Sequence, residues 1–210
     1  MTITPFQKQK QIERDLIIEI GGNLFLSKGF QGFSLRLLTE KLNMPKSNFY
    51  THFQSKRELF YAFKIQEYQK FHEKFHALVE SQICVILEKL TRLMRFYMNY
   101  AAQDFHRFQL IFATQAPPFE KFGPIEQEFN AQPNIMIAEL VRIIQSAISN
   151  GEIKPINPLH CTYFLWAIMY GNIQTIDRIK SGRLGDYLAY ENYAIEEMRN
   201  YLKTLLVTTE

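Results

Sequence analysis

"SLRLLTEKLNMPKSNFYTHFQSKREL", residues 34–59, decides how the chain is read. Ser34 supplies a side-chain acceptor in front of Leu35, Leu38 and Leu42, whose spacing of three and four residues places them on one side of a short helix ending near Asn43. Asn43 tolerates left-handed backbone, so a tight turn can follow. Pro45 then suits the first position of a new helix, where its missing N–H is not needed. Phe49 and Phe53, four apart, give this helix an inner side. Lys46, Ser47, Asn48, Tyr50, Thr51 and His52 crowd six hydrogen-bonding groups into the same short segment. Ser55 with Glu58 three residues on forms a capping box, which starts another helix running to about residue 80. Two helices joined by a tight turn, the second one polar on its outer side, make a helix-turn-helix, whose second helix enters the DNA major groove.

Working outward, Ile12, Leu16, Ile20 and Leu24 recur every four residues, with Ile17 and Phe25 beside that stripe, and predict a supporting first helix. It ends at Lys28 and Gly29, a C-terminal charge followed by a left-handed cap. Gly21 and Gly22 each cost about 1 kcal/mol relative to alanine in a helix, which close packing by a crossing helix would offset. Further helices are expected around 82–101, 103–116, 134–150, 158–181 and 186–207. They are separated by "APPFEKFGP" and Pro133, by "NGEIKPINP" and by "SGRLGD". No segment alternates like a strand between hairpin turns, so the fold class is all-α: an N-terminal three-helix bundle, residues 1–55, followed by a larger helical domain, 56–210. The 158–181 helix is apolar nearly all round its first half, and the last helix carries a stripe of Leu188, Ile195, Met198, Leu202 and Leu205. These two helices are expected to pair with their copies in a second subunit.

At 210 residues and 47% hydrophobic content the chain can bury a good core. Its net charge is only +3, but residues 1–64 hold ten Lys or Arg against five Asp or Glu, while the remainder holds fourteen against sixteen. A basic module joined to a slightly acidic one suggests that the first faces a polyanion. No apolar run is long enough to cross a membrane and no cleavable leader is evident, which predicts a cytoplasmic protein with no membrane partner. Cys84 and Cys161 stand far apart, without the spacing of a disulfide framework or zinc ribbon.

The polar groups of the third helix divide by chemistry. Lys46 can donate to guanine O6 and N7, Asn48 can pair with adenine, and Ser47 and Thr51 can reach base edges at the same exposed end. Tyr50, His52 and Lys56, with Ser34, suit phosphate oxygens and would set register. At this point "IIEIGGNLFLSKGFQGFSLRLLTEKLNMPKSNFYTHFQSKREL", residues 17–59, resembles the DNA-binding region of the TetR family of bacterial transcriptional repressors. The resemblance is carried by Leu24-Phe25, Lys28-Gly29-Phe30, Ser34, Tyr50, Phe53, Ser55-Lys56 and Leu59. It implies a homodimeric, ligand-responsive repressor of a near-palindromic double-stranded operator, with Ser34, Tyr50, His52 and Lys56 as backbone contacts. Arg36, Lys46, Ser47, Asn48 and Thr51 are the base readers that it implies. Thr39 and Asn43 depart from the family's usual alanine and glycine. The resemblance also implies an effector cavity in the C-terminal domain, lined by Phe96, Tyr100, Phe112, Trp166, Met169 and Tyr170 and suited to an apolar or aromatic small molecule.

One segment points elsewhere. "HEKFH", residues 72–76, matches H-E-x-x-H, which on a helix sets two imidazoles on one face beside Glu73, as a zinc metallopeptidase requires. The third ligand of the longer H-E-x-x-H-x-x-G-x-x-H form is absent, since Val79 and Gln82 occupy its glycine and histidine positions, and Glu88 lies too near for a distant carboxylate ligand. No sheet is available to build a substrate cleft. The sequence reading is therefore of a protein with no catalytic residues, no bound metal and no cofactor. A metallopeptidase, or a helical small-molecule binding protein without DNA function, is the alternative.

Overall fold

The chain is helical from near its start because Thr4 closes a capping box, its side chain accepting from the Gln7 N–H at 3.2 Å while Gln7 Oε1 accepts from the Thr4 N–H at 2.9 Å. A computed structural model describes residues 4–82, 85–117 and 123–207. Among these it contains nine helices: α1 (Pro5–Gly32), α2 (Leu35–Lys41), α3 (Lys46–His52), α4 (Lys56–Val79), α5 (Ile86–Gln103), α6 (Phe105–Phe112), α7 (Pro124–Ser149), α8 (Pro158–Gly182) and α9 (Tyr187–Leu205). The all-α expectation holds. Cys84 lies outside the described residues.

The chain condenses into two units, one formed by residues up to Lys70 together with His106–Gln132, the other by Phe71–Phe105 together with residues from Pro133 onward. These units are drawn differently from the 1–55 and 56–210 of the sequence reading. The core of the first recruits Leu59, Phe60 and Phe63 of α4 and Leu110 of α6 alongside Ile17, Phe25, Leu38, Phe49 and Phe53. Phe25 anchors it, stacking on Phe33 at 4.4 Å and meeting Phe60 edge-on at 5.0 Å. In the second unit α5, α8 and α9 pack mutually. They bury Leu93, Met94 and Tyr97 against Leu165, Met169 and Ile173 and against Ile195, Met198 and Leu202. Each such side chain stabilises the fold by about 1.5–3 kcal/mol when fully buried.

Several expectations are corrected. Ile12 and Leu16 are 52% and 46% exposed, so only the later half of the four-residue stripe meets the core, Leu24 buried and Ile20 partly so, and Ile17, Ile18, Gly21, Gly22 and Phe25 complete the buried side of α1. Gly29 has φ 68° as expected of a left-handed cap, yet helical backbone resumes beyond it to Gly32. Pro45 caps α3 from outside, with α3 beginning at Lys46. Pro133 does not end a helix but lies inside α7, where it leaves one carbonyl without its intrahelical donor. After α9 the chain closes a single antiparallel bridge, the Lys154 N–H donating to Leu205 O at 2.9 Å and the Val207 N–H to Glu152 O at 3.0 Å.

Candidate nucleic-acid interface

Local chemistry builds the helix-turn-helix. Ser34 Oγ accepts from the Leu37 N–H at 3.4 Å and starts α2. At its other end Asn43 adopts φ 46°, which lets the Met44 N–H donate to Thr39 O at 3.0 Å and reverses the chain. Thr39 is buried, and its hydroxyl donates to Leu35 O and Arg36 O at 3.1 and 3.0 Å. That hydroxyl is satisfied within its own helix, so a polar residue is accommodated where an alanine would also fit. Ser55 Oγ caps the Glu58 N–H at 3.2 Å, while Glu58 Oε2 reaches one residue farther back than a capping box requires, to the Gln54 N–H at 2.6 Å.

Phe49 and Phe53 are buried, with 0% and 1% exposure, and turn α3 so that Lys46, Ser47, Tyr50 and Thr51 are exposed. Arg36 on α2 is exposed too and forms an i,i+4 pair with Glu40 at 3.1 Å. The remaining expected contacts are engaged inside the protein. Asn48 Nδ2 donates to Glu13 Oε1, and its carbonyl and side-chain oxygens accept from Thr51 Oγ1 at 2.7 and 3.3 Å. His52 is buried, its Nε2 3.1 Å from Glu13 Oε2. Lys56 Nζ donates to Phe30 O at 3.1 Å and lies 4.6 Å from the Phe30 ring centre. Arg14 completes the clasp, donating to His52 O at 2.7 Å with its guanidinium 4.1 Å from the Phe53 ring centre.

Sequence reasoning missed Glu13 and Arg14, which hold α3 from a helix more than thirty residues away. Their adjacency in "QIERD" is no signal, because no short-range spacing rule connects them to Asn48 or His52. A second unforeseen pair lies in the same unit. Arg57 grips Glu126 with two bonds, Nε to Oε2 at 2.8 Å and Nη2 to Oε1 at 2.5 Å, and also donates to Pro117 O. The Glu126 hydrogen bond raises the Arg57 pKa. Nearby Lys64 is buried, its Nζ donating to Thr114 O at 2.6 Å and lying 4.3 Å from the Phe129 ring centre. Burial lowers its pKa to about 7, against the opposing pull of Glu126.

Of the six expected effector residues, Phe112 belongs to the first unit, where it packs on Phe108 at 4.9 Å and Tyr68 at 5.8 Å. The other five are in the second. Phe96 and Tyr100 surround Phe71 at 5.1 and 4.8 Å. Trp166 is 46% exposed and its Nε1 donates to the buried Tyr97 hydroxyl at 3.4 Å, while Met169 is buried and Tyr170 half-buried. Burial pushes the Tyr97 phenol well up. A separate cleft of about 450 Å³ opens between α5, α8 and α9, with Met98, Ile173 and Ile176 in its walls and Lys180 and Glu191 among its charged groups. None of the six lines it. His72 and His76 of the H-E-x-x-H match also lie in the second unit, where Glu139 of α7 joins them and Glu73 is exposed. Among the described residues no helix is long and apolar enough to cross a membrane.

No curated protein matches the sequence. Among solved structures the chain is similar to a transcriptional regulator of the TetR/AcrR family from Thermobifida fusca YX-ER1. That likeness has 18% identity and a TM-score of 0.70, and covers 90% of this chain and 97% of the other. It is similar also to the transcriptional regulator FadR from Bacillus subtilis, solved in complex with stearoyl-CoA, at 15% identity over 87% of this chain and 96% of the other, TM-score 0.69. AibR, solved in complex with isovaleryl coenzyme A and operator DNA, is similar at 20% identity over 74% and 83%, TM-score 0.59. At such identities these likenesses establish the fold. Residues 17–63, which span the helix-turn-helix, match the model of the bacterial regulatory proteins, tetR family.

Proposed function

We propose that the chain is a ligand-responsive transcriptional regulator, a repressor that binds a near-palindromic operator as a homodimer and is released by a small apolar or aromatic effector. The observation that carries this reading is the α2–turn–α3 unit, with left-handed Asn43 at its bend and Lys46, Ser47, Tyr50 and Thr51 turned outward from a phenylalanine core. Residues 1–55 are assigned to DNA binding and 56–210 to effector binding and dimerisation. Arg36, Lys46, Ser47, Asn48 and Thr51 read base edges, and Ser34, Tyr50 and Lys56 hold phosphates. Asn48 must exchange its Glu13 bond for a base, and His52, engaged by the same carboxylate, orients α3.

Dimerisation through α8 and α9 is supported by the apolar side chains they leave exposed, among them Leu159, Phe164, Trp166, Leu188 and Tyr193. Two copies of α3 that read successive major-groove faces on one side of the duplex would lie about 34–36 Å apart. Because FadR and AibR were solved with acyl-coenzyme A molecules, acyl-CoA thioesters are the first effectors to test.

The experiment is selection of bound duplexes from a random pool by the full chain, followed by binding titrations at several salt concentrations. Recovery of a palindromic site, a linear fall of log affinity with log salt, and a loss of about 1–3 kcal/mol on that site for Asn48→Ala are expected. Failure to enrich any sequence over non-specific DNA refutes the operator reading. An inducer must bind the DNA-free state about 5–150-fold more tightly than the DNA-bound state, so a ligand that leaves operator affinity unchanged is not one.

A further inference from the structure

We infer that His72, His76 and Glu139 form a binding site for a divalent transition cation of the zinc class, linking α4 to α7 within the second unit. His72 and His76 stand one helical turn apart, so both imidazoles project to the same side of α4. Glu139, 63 residues beyond His76, brings its carboxylate against them, with Oε1 2.7 Å from His76 Nδ1 and 3.4 Å from His72 Nε2. One ligand atom from each residue lies within 4.8 Å of the other two. A tetrahedral zinc-class ion bonded at about 2.0–2.1 Å holds its ligand atoms about 3.3 Å apart. One separation already has that value, and the others reach it by side-chain rotations of an ångström or so.

Two imidazole nitrogens and one carboxylate oxygen are a donor set of borderline softness, which suits zinc, cobalt or nickel better than magnesium or calcium. The purely protein arrangement leaves the carboxylate half used. Glu139 Oε1 meets both rings, whereas its Oε2 is buried with no hydrogen-bond partner among the described residues. A cation between the three residues would take up that acceptor capacity and replace the short contact to His76. The His76 side chain is 51% exposed, giving the ion a path in and a fourth position for water. Glu73, the general base of the peptidase motif, is exposed and is not one of the three clustered groups. The site is therefore a clamp between two helices, and it rests on these side chains independently of the DNA-binding reading.

The test uses the full chain, stripped with a chelator and titrated with Zn²⁺ by calorimetry and with Co²⁺ by visible absorption, whose intense bands report a four-coordinate ion. One equivalent per chain is expected. Outer-shell losses alone cost metal sites 10–100-fold in affinity, so Glu139→Gln and His76→Ala should each weaken binding by about 100-fold or more, and Glu73→Gln should leave it unchanged. Helicity of each metal-free variant by circular dichroism separates a lost ligand from a lost fold. If an unfolded Ala variant complicates one arm, the shape-conserving Glu139→Gln decides alone. Absence of stoichiometric binding by the parent chain, or binding that survives Glu139→Gln, overturns the assignment. Either result leaves operator binding untouched as a separate question.

Discussion

Gly22→Ala should destabilise the protein, although alanine is the better helix former. A Cβ at Gly22 would lie 2.2 and 2.3 Å from Cδ2 and Cε2 of Phe63, well inside van der Waals contact. Phe63 is only 5% exposed, so its ring has no solvent to retreat into. Alanine gains about 1 kcal/mol of helix propensity, and overpacking a filled core costs about 1–3 kcal/mol. With the clash against two atoms of a rigid ring the upper end applies, leaving a net loss of about 2 kcal/mol. Gly21→Ala makes an informative neighbour. Its Cβ would meet Leu59 Cδ2 at 2.7 Å and Cγ at 3.3 Å, a milder clash than at Gly22 but against a fully buried side chain, so Gly21→Ala should cost less than Gly22→Ala, a net loss of about 1 kcal/mol. Urea denaturation followed by far-UV circular dichroism measures both. Phe63→Leu supplies the cycle partner: if the ring is the obstacle, Gly22→Ala should cost less in the Leu background than in the parent chain. Stabilisation of the parent by Gly22→Ala would refute the close approach of α1 and α4.

Three further outcomes test other parts of the first unit. Lys64 has a pKa of about 7 when folded against 10.5 in the open chain, so between these values the unfolded state holds the extra proton and stability rises with pH, by at most about 1.4 kcal/mol per unit. Lys64→Met should thus raise the melting temperature more at pH 6.5 than at pH 9, and equal shifts would contradict a buried, readily neutralised amine. Glu126→Gln removes the charge gripped by Arg57 and should cost about 2–3 kcal/mol in urea unfolding, below the range for a fully buried pair because Arg57 is 18% exposed. It should also move the Lys64 transition to lower pH. Glu13→Ala strips the acceptor from Asn48 and from buried His52, and should cost about 1–3 kcal/mol of stability. Hydrogen exchange should then speed up in α3 before α1.

The helix-turn-helix was legible because each of its devices acts over three or four residues. Ser34 and Ser55 cap helices, Asn43 bends left-handed, and Phe49 with Phe53 marks an inner side, all through contacts whose partners are close in the chain. The same rules placed the helices of the second half and anticipated a crossing helix against Gly21 and Gly22. They misplaced Ile12 and Leu16 because periodicity states that a stripe exists and not how far along a helix a neighbour covers it. Pro133 was misread for a related reason, since a local breaker can be outweighed by the packing of a long helix. Residue chemistry in the sequence thus determined the fold class and the outward groups of α3. Only the tertiary structure decided that Glu13 engages Asn48 and His52, that Arg57 grips Glu126, and that Glu139 meets His72 and His76. Those partners are 35 to 69 residues apart. Contacts at such separations follow from how helices pack, which no spacing rule along the chain encodes.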